Sequence, residues 1–205
     1  MDLMIEILIR SAGRILISVF PPFFWWVGRS RKSGKFFESI GFKGMDKGGS
    51  YNSGGWIIGT SLLSIVSSFM LLNMTLYSNS GIFIFSGGGI GVLPSLLIYA
   101  IITTSLPEEI FFRGFLLKRL SSRLGFGAAN IIQSILFGLL HGFLVFTEAG
   151  VVKSVHSVIL IAIIGWLLGY INEEKARGSI LPSWGIHAIT VIYAGICTAF
   201  GLYYY

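Results

Sequence analysis

Residues 91–117 read GVLPSLLIYAIITTSLPEEIFFRGFLL, an apolar run whose only charged side chains are Glu108, Glu109 and Arg113. A membrane-spanning helix needs about 20 consecutive, mostly apolar residues. The run is long enough, so it predicts a helix that crosses a bilayer. Its charges lie inside the run and not at its ends. Because charged side chains within a span are costly and by default mark function, the same run predicts where the functional site lies.

The composition of the whole chain is that of a membrane protein. Only 12% of its 205 residues are charged, 54% are hydrophobic, and the mean hydropathy is +0.79. A soluble domain carries about 25% charged residues. Between Lys47 and Glu108 there is no charged side chain at all, which leaves too little polar surface for a soluble globule. We therefore predict an all-α fold, a polytopic transmembrane helix bundle of about six spans, forming one integral membrane domain over residues 1–205.

Six segments are apolar enough to be spans, although the first is the least regular. Its first half contains Arg10 and Arg14, spaced i,i+4, and can lie in the membrane interface, and Pro21 and Pro22 should bend its second half. Glycines four residues apart in the later segments predict close packing between helices of the bundle. The six segments are Ile5–Val27, Trp56–Tyr77, Gly91–Leu117, Gly127–Phe146, Val155–Ile171 and Ile180–Tyr203, and the paired glycines are Gly138 with Gly142 and Gly165 with Gly169.

The formal net charge of +6 comes from basic residues between the spans. The segments after the first, third and fifth spans are basic, whereas Ser78–Gly89 is uncharged and Thr147–Ser154 nearly so. Basic loops stay on the cytoplasmic side, so the pattern predicts six crossings, both termini outside, membrane lipid as a partner and no nucleic acid. The expected location is the plasma membrane. The basic residues are Arg29, Arg31, Lys32, Lys35, Lys43, Lys47, Lys118, Arg119, Arg123, Lys175 and Arg177.

The charged cluster divides into two parts. Glu109 and Arg113 are spaced i,i+4 in the favourable order, so they can pair on one face of the helix. Glu108 points about 100° away and is free for another partner. An alternative is that Ser105 and Glu108 form a capping box, with Pro107 in the first turn. Such a cap explains one carboxylate but not Glu109 and Arg113.

Two histidines lie at a similar depth in other spans. Counted from the basic side at about 1.5 Å per residue, Glu108, His141 and His187 lie roughly 15, 20 and 12 Å into their spans. We therefore expect the three side chains to meet in one layer. His156 lies near the opposite end of its span and does not reach that layer.

These residues resemble the motifs of the CPBP family of intramembrane endopeptidases, which includes type II CAAX prenyl proteases and bacteriocin-processing relatives. The family pattern begins with EExxxR, here Glu108, Glu109 and Arg113. The second motif is FxxxH, here Phe137 and His141. The resemblance implies hydrolysis of a peptide bond in a membrane-associated substrate, by CAAX-type or leader-peptide processing. It also implies that Glu108 and His141 activate a water, with Glu109 and Arg113 as a supporting pair.

The third family motif, HxxxN, is only partly present, and the whole resemblance covers residues 93–196, the predicted protease core. His187 is kept and would stabilise the oxyanion of the tetrahedral intermediate. Val191 stands where the family often has Asn, and a valine side chain cannot donate a hydrogen bond. Asn130 and Gln133 are substitutes by composition only.

The resemblance leaves open the role of a metal and the activity itself. A metal-free water mechanism without a cofactor is expected, and the alternative is a zinc ion held by Glu108, His141 and His187. The runner-up function is a non-catalytic membrane scaffold or bacteriocin-immunity factor of the same fold. A small transporter with a Glu/His proton relay ranks last, because the sequence shows no internal repeat.

Overall fold

The computed structural model describes residues 3–30, 34–45, 53–74 and 81–203. All regular structure within them is helical. Arg31, Lys32 and Lys47, the predicted end of the second span at Tyr77, and residues 78–80 lie outside the described residues, as does the side chain of Glu148. The helices are α1 (Leu3–Trp25), α2 (Phe36–Ser39), α3 (Ser53–Met74), α4 (Gly89–Leu124), α5 (Phe126–Thr147), α6 (Ala149–Lys175) and α7 (Leu181–Ala199).

Five of these helices, α3 to α7, are long and apolar enough to cross a membrane. They coincide with the five later predicted segments, and the all-α polytopic bundle is confirmed. The first segment also forms a helix, α1, but it is not among the five, so the structure supports five spans and not six by length and composition. The charged side chains Glu6, Arg10 and Arg14 lie in the first half of α1 and make that half less apolar.

Helix α4 alternates between α-helical and π-helical turns. The short α-helical stretch Leu106–Glu109 lies between the π-helical stretches Tyr99–Ser105 and Ile110–Leu117. Ser105 has helical backbone angles (φ −68°, ψ −46°), and its hydroxyl donates to the carbonyl oxygen of Ala100 at 2.7 Å. It does not cap a helix start, so the capping-box interpretation is wrong. π-helical turns within a helix often occur at functional sites.

Helices α5 and α6 form a tight antiparallel pair. The chain reverses direction around Gly150, the second residue of α6, whose φ of 82° is not helical. An added Cβ at Gly138 would lie 2.5 Å from the carbonyl oxygen of Val158, and one at Gly169 would lie 2.0 Å from Oδ1 of Asn130. Glycine is therefore required for this close approach, and the predicted packing of the paired glycines within the bundle is confirmed.

The basic segments meet at one end of the bundle. Lys118 Nζ donates to Glu173 Oε1 at 2.7 Å and to the carbonyl oxygen of Gly178 at 2.9 Å. Arg119 donates to the carbonyl oxygen of Ser39 at 3.2 Å, which ties the segment around α2 to the end of α4. The described basic segments thus share one face, as the alternation of charge along the chain predicts.

Candidate active site

A cavity of about 450 Å³ lies among the helices, and Glu108, His141 and His187 all line it. Helices α1, α3, α4, α5, α6 and α7 each contribute to its walls. About half of the lining side chains are apolar, and the others carry hydroxyl, imidazole, carboxyl or guanidinium groups. The cavity therefore places the three predicted residues in a partly enclosed space of mixed polarity, in which electrostatic interactions are stronger than in water.

The three side chains come together from three different helices. Oε2 of Glu108 lies 3.6 Å from Nε2 of His141 and 3.8 Å from Nε2 of His187. The structure thus brings into one layer the residues that the depth argument placed there. His156, by contrast, is exposed and does not line the cavity, and its Nδ1 bonds the carbonyl oxygen of Val152.

The second ring nitrogen of each histidine has a partner that can only accept a hydrogen bond. Nδ1 of His141 lies 3.0 Å from the carbonyl oxygen of Phe137, and Nδ1 of His187 lies 3.0 Å from Oε1 of Glu109. Each Nδ1 must therefore bear the hydrogen. When the rings are neutral, each Nε2 presents a lone pair towards Glu108.

This arrangement makes Glu108 unusual among buried carboxylates. Its Oε2 is buried and has no hydrogen-bond partner in the described part of the chain. Two imidazole lone pairs and a carboxylate oxygen then face one another without a hydrogen between them. A water that donates its hydrogens, a proton or a cation placed there would relieve the repulsion.

The neighbouring carboxylate, Glu109, has a different environment. Glu109 and Arg113 are both fully buried and pair at 2.9 Å, so the ion pair predicted from their spacing is confirmed. Arg113 also bonds the carbonyl oxygen of Gly165 at 3.5 Å, and its guanidinium lies 4.1 Å from the ring centroid of Phe137. The sequence did not reveal the bond from His187 to Glu109. Because His187 bonds Glu109, the Glu109–Arg113 pair orients the His187 ring in addition to stabilising α4.

Phe137, the aromatic residue four positions before His141, contacts the histidines of the site. Its carbonyl oxygen accepts the bond from that histidine, and its ring lies 4.5 Å from the ring of His141 and 6.0 Å from that of His187. One residue therefore packs against both imidazoles and against the Arg113 guanidinium. It limits the orientations that these side chains can take.

The two amides proposed as substitutes for a missing donor do not face the cavity. Asn130 donates to the carbonyl oxygen of Trp166 at 2.9 Å, and Gln133 donates to Asn130 at 2.8 Å and to Gly165 at 3.0 Å. Both side chains are buried between α5 and α6, so they hold these helices together and do not serve the site. Val191 does line the cavity, one turn after His187.

The structure shows two hydroxyls at the cavity that the sequence did not indicate. Oγ1 of Thr104 and Oγ of Ser64 are buried, lie on residues that line the cavity, and have no hydrogen-bond partner among the described residues. A helical threonine often bonds the carbonyl four residues before it. For Thr104 that carbonyl belongs to Ala100, and the hydroxyl of Ser105 occupies it. The π-helical turn thus leaves the Thr104 hydroxyl available, one turn before Glu108.

Glu108, His141 and His187 suit zinc by donor type but not by their arrangement. Two imidazole nitrogens and a carboxylate are donor types that catalytic zinc uses. As the side chains stand, however, the described residues include no group of three or more His, Cys, Asp or Glu side chains arranged to hold a metal ion. The donor chemistry suits zinc, whereas the present geometry does not.

Residues 89–193 match the family described as Type II CAAX prenyl endopeptidase Rce1-like. The chain belongs to this family. The matched region of the Rce1-like protein runs from α4 into α7 and includes Glu108, Glu109, Arg113, His141 and His187. Together with its five long apolar helices, the match identifies an integral membrane protein of a protease family. Comparison with curated proteins and with solved structures gives no match.

Proposed function

We propose that this protein is an intramembrane endopeptidase that hydrolyses a peptide bond of a membrane-associated substrate with an activated water. One observation supports the proposal above the others. A partnerless carboxylate oxygen of Glu108 faces Nε2 of both His141 and His187 inside a cavity among the spanning helices. A base within reach of a bound water is the first geometric requirement of general-base hydrolysis.

In the proposed reaction, a water lies between Glu108 and His141. Glu108 accepts one of its protons, and the water oxygen forms a bond with the carbonyl carbon of the substrate. The tetrahedral intermediate collapses as the carbon–nitrogen bond breaks, and the proton on Glu108 passes to the leaving amine. His141 keeps the attacking oxygen in place, because the Phe137 carbonyl and ring fix the orientation of the imidazole.

The oxyanion needs donors aimed at the place where charge develops. His187 can donate from Nε2 only as an imidazolium, since its Nδ1 hydrogen is directed at Glu109. Val191 cannot add a second donor, and we assign this role to the Thr104 hydroxyl, which is buried, partnerless and on the same side of α4 as Glu108.

The finer assignments belong to the same proposal. The substrate is of the CAAX or leader-peptide type and is cut from the basic, cytoplasmic side of the plasma membrane. The mechanism is metal-free. In the alternative, Glu108, His141 and His187 would adjust to hold a zinc ion, which would act as a Lewis acid and lower the pKa of a bound water.

Cleavage of a peptide library by the purified protein in proteoliposomes tests the proposal. The wild type should cut members of the library with or without a zinc chelator, whereas Glu108→Gln and His141→Ala should retain the fold and lose cleavage. Loss of wild-type cleavage in chelator, restored by zinc, would favour the metalloprotease. Full biological activity in Glu108→Gln would favour the non-catalytic scaffold.

A further inference from the structure

Arg14 is a cation that the proposed reaction does not use, although it lines the same cavity as Glu108 and His141. It extends from α1, the helix outside the five apolar spans, and its side chain is exposed. Arginine inside a membrane domain is rare and usually faces a partner, an aqueous space or a substrate pathway. Its position on the cavity wall therefore indicates a function for Arg14.

Arg14 differs from the neighbouring arginine on the same helix. Arg10 forms an ion pair with Glu6 one turn earlier. No ion pair joins Arg14 to a carboxylate in the described part of the chain. Among the described residues, one of the two arginines is thus neutralised, whereas the one at the cavity has no ion-pair partner.

The contacts of α1 show how deep Arg14 lies. The Ser11 hydroxyl bonds the Thr103 hydroxyl, and Val19 and Leu106 both pack against the cluster that contains Ile110. Helices α1 and α4 therefore run in the same direction. At about 1.5 Å per residue, Arg14 lies about 4.5 Å beyond the first contact and Glu108 about 7.5 Å beyond it. The two backbones therefore differ by only about 3 Å in depth.

We propose that Arg14 binds a carboxylate of the substrate, an inference that rests on the proposed peptidase function and narrows its substrate class. A guanidinium forms two parallel hydrogen bonds with a carboxylate, and these are strong where water is largely excluded. The cavity volume of about 450 Å³ is in the range of small-ligand pockets. The cavity, which both Arg14 and Glu108 line, is thus large enough for a short peptide segment. The scissile bond is then only a few residues from the carboxylate, which belongs to the C-terminus or to an Asp or Glu side chain.

Peptide binding to the full-length protein in phosphatidylcholine nanodiscs tests this assignment without requiring turnover. The parent protein is Glu108→Gln, so that a bound peptide is not cut. The probes are three mixtures of acetylated apolar hexapeptides: one with a free C-terminus, one with a C-terminal amide, and one with the amide and a single internal Glu. The variants are Arg14→Gln, Arg14→Lys and, as the matched control, Arg10→Gln.

The free-acid mixture should bind the parent at least ~10-fold more tightly than the amide mixture, as a charge-assisted contact implies. Arg14→Gln should remove this preference, Arg14→Lys should keep part of it, and Arg10→Gln should keep all of it. Restoration of affinity by the internal Glu would identify a side-chain carboxylate as the ligand. Without restoration, the ligand is the C-terminus.

Equal binding of acid and amide by the parent would overturn the assignment, and so would a preference that survives in Arg14→Gln. Arg14-dependent binding of phosphatidylglycerol in place of any peptide would assign the residue to lipid and overturn it as well. The proposed function is tested separately. Cleavage without a carboxylate preference contradicts only the Arg14 inference, whereas carboxylate-dependent binding by a wild type that never cleaves contradicts only the peptidase.

Discussion

Glu108 and Glu109 are adjacent in the sequence but occupy opposite environments in the same helix. Glu109 is fully buried and bonds Arg113 and His187 through one oxygen. Glu108 lines the cavity, and its Oε2 has no partner among the described residues. On the packed side of α4, Glu109 and Arg113 neutralise each other, although Oε2 of Glu109 and Nε of Arg113 have no hydrogen-bond partner among the described residues. On the cavity side, the Glu108 carboxylate faces two imidazole nitrogens and has no such counter-charge.

The two glutamates differ in role: we expect Glu109 to stabilise the fold and Glu108 to take part in the reaction. A buried charge with a good partner serves to hold and orient its neighbours. A buried polar atom without one is costly and persists where a substrate or water will meet it. Substitutions on the packed side should therefore act on folding, and those on the cavity side should act on turnover.

The largest effect is expected from Glu108→Gln, which keeps the shape of the side chain and removes the base. Cleavage should fall by about 10²- to 10⁴-fold, the contribution of a positioned general base, while resistance to unfolding stays near that of the wild type. Cleavage rates in proteoliposomes and thermal unfolding in detergent check the two halves. A variant that unfolds instead would place Glu108 on the packed side.

On the packed side, Arg113→Met should lower the free energy of unfolding by about 3–5 kcal/mol, because Glu109 is left as a buried charge without its partner. The double variant Glu109→Gln/Arg113→Met should lose less than Arg113→Met alone. Denaturant titration of the purified variants measures both. Equal losses in the single and double variants would contradict the buried pairing.

Thr104→Val tests the cavity hydroxyl and should reduce kcat by about 10²- to 10³-fold, the usual cost of losing one oxyanion donor, with little change in KM. Thr104→Ser keeps the hydroxyl and should stay close to the wild type. Thr190→Val is the matched control, since that hydroxyl already bonds the carbonyl oxygen of Ile186 at 2.8 Å. Adding Val191→Asn to Thr104→Val should restore part of the rate.

The smallest effect is expected where α5 and α6 touch. Gly169→Ala would press a methyl group against Asn130 and should cost about 1–3 kcal/mol of stability. The folded protein should keep its kcat. Gly59→Ala is the control, because nothing lies within 4 Å of an added Cβ there. A loss of kcat in folded Gly169→Ala would show that the two sides of the molecule are not separable.

The sequence predicts the five later spans and the Glu109–Arg113 pair well, because the spans depend on local composition and the pair on i,i+4 spacing. It overestimates the first segment, which forms a helix but is not among the apolar spans. It also predicts that Glu108, His141 and His187 share a depth. It does not predict the bond from His187 to Glu109, which depends on how α7 rotates against α4. The sequence also does not predict the unbonded hydroxyl of Thr104, because this hydroxyl depends on a π-helical turn. Hydropathy does not indicate where such a turn occurs. Asn130 and Gln133 are the opposite case. Their amide groups could donate to an oxyanion, but helix packing directs them away from the cavity.

Single-turnover cleavage in water labelled with oxygen-18 tests the central claim, that Glu108 activates a water for peptide hydrolysis, most directly. Mass spectrometry of the products should find one labelled oxygen in the new C-terminal carboxylate for the wild type and for Thr104→Ser. Glu108→Gln, folded to the same extent, should give no labelled product over the same period. Labelled product from Glu108→Gln at the wild-type rate would contradict the assignment of Glu108 as the base.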